Sequence, residues 1–179
     1  MYKYFYQTKD DIDDIVLTSD GEALTGLWFV GSFDETKHES TYEEKALPIF
    51  LETKKWLDSY FKGEEPIFTP KYKLNGTSFK EEVWHILENI PYGQVITYGE
   101  IAAMIAKKRG LKKMSSRAVG GAIGKNPICI IIPCHRVVGI NNNLTGYGGG
   151  INNKIALLRY EGVDTRKYKK PKGGKYAEV

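Results

Sequence analysis

Cysteine is scarce in this chain of 179 residues, which contains only Cys129 and Cys134. A disulfide between them would close a very short loop and contribute little, so no disulfide framework is expected and the pair fits a reducing compartment. There are three histidines, His38, His85 and His135, and no paired C-x-x-C or H-x-x-x-H spacing. A structural zinc site is therefore not expected. No apolar run approaches the length that spans a bilayer. The N-terminal Met1-Tyr2-Lys3-Tyr4-Phe5 lacks the long apolar core of a secretory signal. The expected location is the cytoplasm, or the nucleus in a cell that has one.

Acidic residues are missing from one long stretch. None lies between Glu100 and Glu161, where Lys107, Lys108, Arg109, Lys112, Lys113, Arg117, Lys125, Arg136, Lys154 and Arg159 all occur. The net charge of +4 hides this asymmetry. Residues 1–75 carry 9 Lys+Arg against 15 Asp+Glu, and residues 76–179 carry 17 against 7. A solvated face normally mixes both signs, so an acid-free block points to a polyanionic partner, nucleic acid being the common one.

Periodicity predicts two units and a tail: 1–75, 76–165 and a basic tail 166–179. In the first, the β-rich runs Ile15–Thr18 and Leu24–Val30 flank Ser19-Asp20-Gly21-Glu22, a hairpin signal. A helix starts near Pro48 and ends at Phe61, with Leu47, Phe50, Leu51, Leu57 and Phe61 on one side and Gly63 as its stop. Residues 64–75, with Pro66 and Pro70, read as a linker. In the second unit Ser78 and Glu81 form a capping box ahead of the stripe Phe79, Val83, Ile86, Leu87 and Ile90. Thr97 caps another helix with Ile101, Ala102 and Ile105 facing inward. After a basic loop, Ser115 or Ser116 caps a third helix rich in small residues, Arg117 to Ile123. Such residues allow close approach to a neighbouring helix or to a DNA groove. Helix, loop and basic helix are the outline of a helix-turn-helix. Ile128–Ile132 reads as a buried extended segment ending at Pro133, and a last helix covers roughly 152–161. Trp28, Trp56, Trp84 and Cys129 read as core, His38 and His85 as residues without partners, and Tyr147 as a wing contact or a loop anchor. The fold class expected is α+β: a small α/β unit with a short antiparallel sheet, then a mostly helical, winged-helix-like unit.

The chemistry concentrates at Cys134-His135-Arg136. A thiol must ionise to be a good nucleophile, and an imidazole in positive surroundings favours that. The imidazole in turn needs an orienting carboxylate. Glu161 is the sole acid between residues 101 and 163 and is the natural candidate. Adjacent side chains of an extended segment point to opposite faces, so a water would bridge His135 to the thiol. A regulator without a nucleophile and a thiol hydrolase are the competing classes. The Cys-His-Glu set opposes the first, and the acid-free basic block opposes the second.

Pro133-Cys134-His135-Arg136-Val137-Val138 resembles the active-site signature of the methylated-DNA–protein-cysteine methyltransferases, also called O6-alkylguanine-DNA alkyltransferases. Ile90-Pro91-Tyr92-Gly93 with Thr97-Tyr98, Arg117-Ala118-Val119-Gly120-Gly121-Ala122, Asn126-Pro127, Gly146-Tyr147 with Gly149-Gly150, and Glu161-Gly162 follow the family in the same order. The close match runs from about 76 to 163.

The resemblance implies irreversible, single-turnover transfer of an alkyl group from O6 of guanine to Cys134 after base flipping, with O4 of thymine as a further candidate source of the alkyl group. It implies that His135 takes the thiol proton, Glu161 holds His135, and Asn126 braces the turn. It also implies a substrate pocket of Tyr98, Arg117, Val137, Tyr147, Gly148 and Gly149, with main-chain groups at Cys134 and Val137 reading the base. Tyr98, Ser116, Arg117, Ala118 and Lys125 would contact DNA, Arg117 filling the space the guanine leaves. No cofactor or metal is implied, and the expected partner is alkylated double-stranded DNA bound by a monomer. Two features depart from the family: Gly148 stands where many members have Ser or Ala, and the loop Lys107–Ser115 is longer than usual.

Overall fold

The computed structural model describes residues 1–9, 11–38 and 41–172. Strands β1 (Tyr2–Tyr6), β2 (Ile15–Ser19) and β3 (Leu24–Phe29) form an antiparallel meander, and the two-residue β4 (Glu43–Glu44) joins β1 in parallel. The order across the sheet is β3-β2-β1-β4. The β2–β3 connection is the expected hairpin, with Asp20 Oδ1 accepting from the Glu22 and Ala23 amides at 2.9 and 3.0 Å. Strand β2 is buried along its whole length because both faces are covered. On one face lies α1 (Pro48–Tyr60), where Phe50 stacks on Tyr4 at 5.8 Å. On the other, Trp28 is covered by His38, whose ring lies 3.9 Å away. His38 therefore has a partner, contrary to expectation, and His85 has Glu88 at 3.0 Å. Leu51, expected inward, is exposed on α1.

The outer edge of β3 is not left open, as an unpaired edge is a liability. At one end Leu24 exchanges backbone hydrogen bonds with Lys71 and Lys73, both 2.9 Å, so part of the expected linker is docked against the sheet. At the other, the Leu27 amide donates to Pro127 O and the Cys129 amide donates to Leu27 O, each 3.0 Å. The N-terminal sheet thus grips the turn that precedes Cys134, and one apolar core runs through both halves of the chain.

In the second half, α2 (Ser78–Glu88) is capped by Thr77 rather than Ser78, and Glu81 reaches back to the Gly76 amide at 3.0 Å. The cap moves one residue because Thr77 has the extended backbone that an N-cap needs. Strand β5 (Ile96–Thr97) leads into α3 (Tyr98–Lys108), opened by a Thr97/Glu100 capping box. Ser115 caps α4 (Ser116–Ile123). Trp84 Nε1 donates to Ala122 O at 2.9 Å and pins α4 to α2. The two-residue β6 (Val137–Val138) pairs with β5, and α5 (Ile151–Tyr160) closes the fold. The expected tail is attached over its first residues: Lys169 exchanges backbone hydrogen bonds with Asn142 and Leu144 at 2.7 and 2.9 Å. Its end, 173–179, lies outside the described residues.

Leu27 is fully buried at the junction of the two halves. Leu27→Ala should lower the unfolding free energy by about 3 kcal/mol in urea denaturation, the usual cost of a large-to-small core change. A loss under about 1 kcal/mol would mean that the junction is slack.

Candidate active site

The segment 126–133 is a tight turn, not the extended run expected from its isoleucines. Asn126 is buried and spans it, Nδ2 donating to Ile132 O at 2.8 Å and Oδ1 accepting from the Ile128 amide at 3.0 Å. Ile130 sits at φ 67°, a left-handed conformation that costs a β-branched residue about 1–3 kcal/mol and persists only where surroundings enforce it. Asn126 and the β3 edge are that enforcement. Pro133 then leads into a 3₁₀ turn, Cys134–Arg136, with all three residues buried.

Behind the thiol lies a largely buried ionic cluster. His135 Nε2 is 2.6 Å from Glu161 Oε1. Tyr60 donates to the same oxygen at 2.7 Å, and Arg136 donates through Nη2 to Oε1 at 3.0 Å and through Nε to Oε2 at 2.9 Å. The Gly93 amide completes the set at 3.1 Å. Gly93 has φ +74°, and a Cβ there would come within 2.9 Å of Glu161 O, so the turn approaches the carboxylate only as glycine. Burial alone would raise the Glu161 carboxyl, but His135 and Arg136 hold it well below the usual carboxylate range. Burial lowers His135 more than Glu161 raises it, so the imidazole is neutral at physiological pH. Its Nδ1 is buried with no hydrogen-bond partner among the described residues.

Cys134 opens on the other side into a cavity of about 360 Å³, lined also by Tyr98, Ser116, Arg117, Tyr147 and Gly148. Tyr147 Oη lies 3.8 Å from Cys134 Sγ, and Tyr98 Oη lies 3.1 Å from Thr145 Oγ1. Val137 and Gly149, also expected at the substrate pocket, are not among the residues that line this cavity. The Val137 carbonyl accepts from Lys154 Nζ at 2.6 Å, and Gly149 packs against the Tyr147 ring and Phe29. Cys134 and Cys129 differ in character. The Cys129 thiol lowers the pKa of Cys134 against the opposing effects of burial and Asp34, with Asn126 and Lys37 helping. The Cys129 thiol is itself pushed up by Cys134, burial and Asp34. Its single proton has two acceptors, the Cys134 sulfur and Asp34 Oδ2 at 3.1 Å, and the carboxylate is the stronger. Of the two thiols, Cys134 is the one favoured to ionise.

The basic block is partly consumed by structure. Arg136 and Lys154 are buried, and Lys108 and Arg109 reach back to Glu82 at 3.3 and 2.5 Å. Lys107, Lys112, Lys113, Arg117 and Lys125 are exposed around α4 and the turn before it, with Ser116 and Ala118 on the same exposed end. Among the contributors to the site that were not anticipated are Tyr60, Gly93, Asp34 and Lys37. Tyr60 lies 101 residues from Glu161, and no local pattern connects them.

The DNA-binding domain model of 6-O-methylguanine DNA methyltransferase matches residues 78–163. A methylated-DNA–protein-cysteine methyltransferase of Methanosarcina acetivorans is 40% identical over 159 residues, 89% of this chain and 98% of that protein. One of Haemophilus influenzae is 36% identical over 161 residues, 89% of this chain and 87% of that protein. The chain belongs to the methylated-DNA–protein-cysteine methyltransferases. The fold agrees along its length: the crystal structure of Mycobacterium tuberculosis OGT in complex with DNA superposes with a TM-score of 0.76 at 36% identity, covering 94% of this chain and 95% of that one. In a methylated-DNA–protein-cysteine methyltransferase the acceptor is a cysteine, and Cys134 is the one whose surroundings fit.

Lys154 ties the two walls of this methyltransferase site together, donating to Val137 O and Leu144 O, both at 2.6 Å. Burial lowers its pKa to about 7. Between that value and its ordinary value of 10.5, the unfolded chain binds a proton that the folded chain does not, so stability rises with pH across this window. The unfolding free energy of wild type minus that of Lys154→Met should therefore increase from about pH 7 to about pH 10, by at most about 1.4 kcal/mol per unit. A flat difference would mean that Lys154 stays protonated in the fold.

Proposed function

We propose that this chain repairs alkylated DNA directly, moving an alkyl group from O6 of guanine in double-stranded DNA to Cys134 Sγ once the nucleotide has turned out of the duplex. The observation that carries the reading is the orientation of His135. Nε2 is committed to Glu161 at 2.6 Å, and Nδ1 is the buried atom left to act. Because Glu161 stays ionised, Nε2 keeps the proton and Nδ1 is the base. A water between Nδ1 and Cys134 carries the thiol proton to the ring, and Glu161 stabilises the imidazolium that results. The sulfur attacks the alkyl carbon, the C–S bond forms as the C–O6 bond breaks, and guanine leaves with the electron pair. Tyr98, kept a neutral phenol by burial, is placed to return a proton to the departing base.

Chemistry on a base edge inside a duplex requires extrusion of the nucleotide, at a cost of a few kcal/mol. Arg117, exposed on α4 at the mouth of the cavity, is the side chain suited to fill the gap. Phosphate contacts from Lys107, Lys112, Lys113 and Lys125 hold the protein in place without reading sequence, as suits a lesion that occurs anywhere. The product is a thioether, a poor leaving group, so each molecule acts once. Action as a monomer is part of the same proposal.

Cys134→Ala should abolish transfer from an O6-methylguanine duplex while retaining duplex binding in a gel-shift assay, with affinity falling steeply as salt rises. Arg117→Ala should lose more activity on the duplex than on a free O6-alkylguanine base. Continued methyl loss from the lesion with Cys134→Ala would remove Cys134 as acceptor, and equal losses for Arg117→Ala on both substrates would remove its role in extrusion.

A further inference from the structure

The cavity that holds Cys134 is not built by the second half of the chain alone. The 3₁₀ turn Phe33–Lys37, which follows β3, sends Asp34 and Lys37 into its wall. Asp34 is nearly fully buried, and its carboxylate pairs with Lys37 Nζ through Oδ1 and accepts from the Cys129 thiol through Oδ2 at 3.1 Å. Its amide donates to Gly148 O at 3.1 Å, and Lys37 Nζ reaches Asn126 O at 3.5 Å. The pair is thus anchored to the thiol-bearing turn and to the Tyr147–Gly148 wall at once. A Cβ at Gly148 would overlap Asp34 Oδ1 and lie 2.9 Å from Asp34 Cγ. The carboxylate occupies the space where a side chain of residue 148 would begin. Asp34 and Gly148 are therefore two halves of one choice.

We propose that the Asp34–Lys37 ion pair is the specificity wall of the acceptor pocket, admitting small alkyl groups such as methyl and disfavouring bulky apolar ones such as benzyl. The proposal rests on alkyl transfer from O6 of guanine to Cys134. A benzyl group beside the sulfur has to press on the pair, removing the solvent that reaches Lys37 and offering no hydrogen bond in return, and desolvating a charge without compensation is costly. A methyl group leaves the pair undisturbed. The N-terminal unit thereby acts in substrate selection and not only as support.

The test is the rate of transfer from duplexes carrying O6-methylguanine or O6-benzylguanine, followed by intact-protein mass, for wild type, Asp34→Ala, Asp34→Asn, Gly148→Ser and the Asp34→Ala/Gly148→Ser double variant. The benzyl-to-methyl rate ratio should rise about tenfold or more in Asp34→Ala, the scale on which a pocket wall discriminates. Asp34→Asn keeps the volume and removes the charge, so it decides the matter if Asp34→Ala does not fold, and its ratio should shift the same way. Gly148→Ser should slow methyl transfer, and Asp34→Ala should restore it. A ratio within about twofold of wild type in the folded Asp34 variants, or a Gly148→Ser defect indifferent to Asp34, overturns the assignment. Absence of methyl transfer in wild type would instead overturn the reading of Cys134, and the wall with it.

Discussion

The carboxylate of Glu161, itself closed to solvent, accepts hydrogen bonds from His135, Tyr60 and Gly93 and two more from Arg136. These partners come from the 3₁₀ turn of the thiol, from α1 and from the turn between α2 and α3, while Glu161 itself ends α5. A buried ion is tolerable only when its lone pairs are satisfied, and removing one partner of such a cluster typically costs about 3–5 kcal/mol. The same contact that satisfies the charge determines which imidazole nitrogen is left basic. Structural necessity and chemical role are carried by one interaction. Tyr60 has a second consequence: it brings α1 of the N-terminal unit into the charge network, so neither half of the chain completes the site alone.

Around that carboxylate the thiol is held from two further directions. Asn126 and the β3 edge keep the turn 126–133 in a conformation that Ile130 would not adopt unaided. Lys154, buried between Val137 O and Leu144 O, joins the end of the thiol turn to the loop that supplies Tyr147. A nucleophile used once has no later turnover in which to recover from poor alignment, so rigid placement is the economical arrangement.

Local signals in the sequence were sufficient for the elements whose causes are local. The Asp20-Gly21 hairpin, α1 opening at Pro48 and the Thr97 cap stand where turn and capping chemistry place them, and of Ser115 and Ser116 it is Ser115 that caps α4. The acid-free block correctly marked Glu161 as the partner of His135, since no other carboxylate was near in sequence. The same reasoning missed Asp34, which enters the cavity from 95 residues before Cys129. The isoleucine run was misread because apolar residues report burial and not backbone shape: Asn126 and Ile130 make it a turn. His38 was misread because stacking on Trp28 depends on a tertiary fold that pattern alone does not contain. Arg136 and Lys154 counted as surface charge in the sequence, yet both are buried and add nothing to the exposed positive charge around α4 and the turn before it.

The central claim is that Cys134, held as a nucleophile by His135 and Glu161, keeps the alkyl group it removes. Intact-protein mass after incubation with a duplex containing O6-methylguanine tests this most directly. The account predicts a gain of one methyl group per chain, located on Cys134 by peptide mapping and saturating at one equivalent however much lesion is supplied. Repeated loss of methyl groups from DNA without a matching gain in protein mass, or a methyl group located on Cys129, would contradict it.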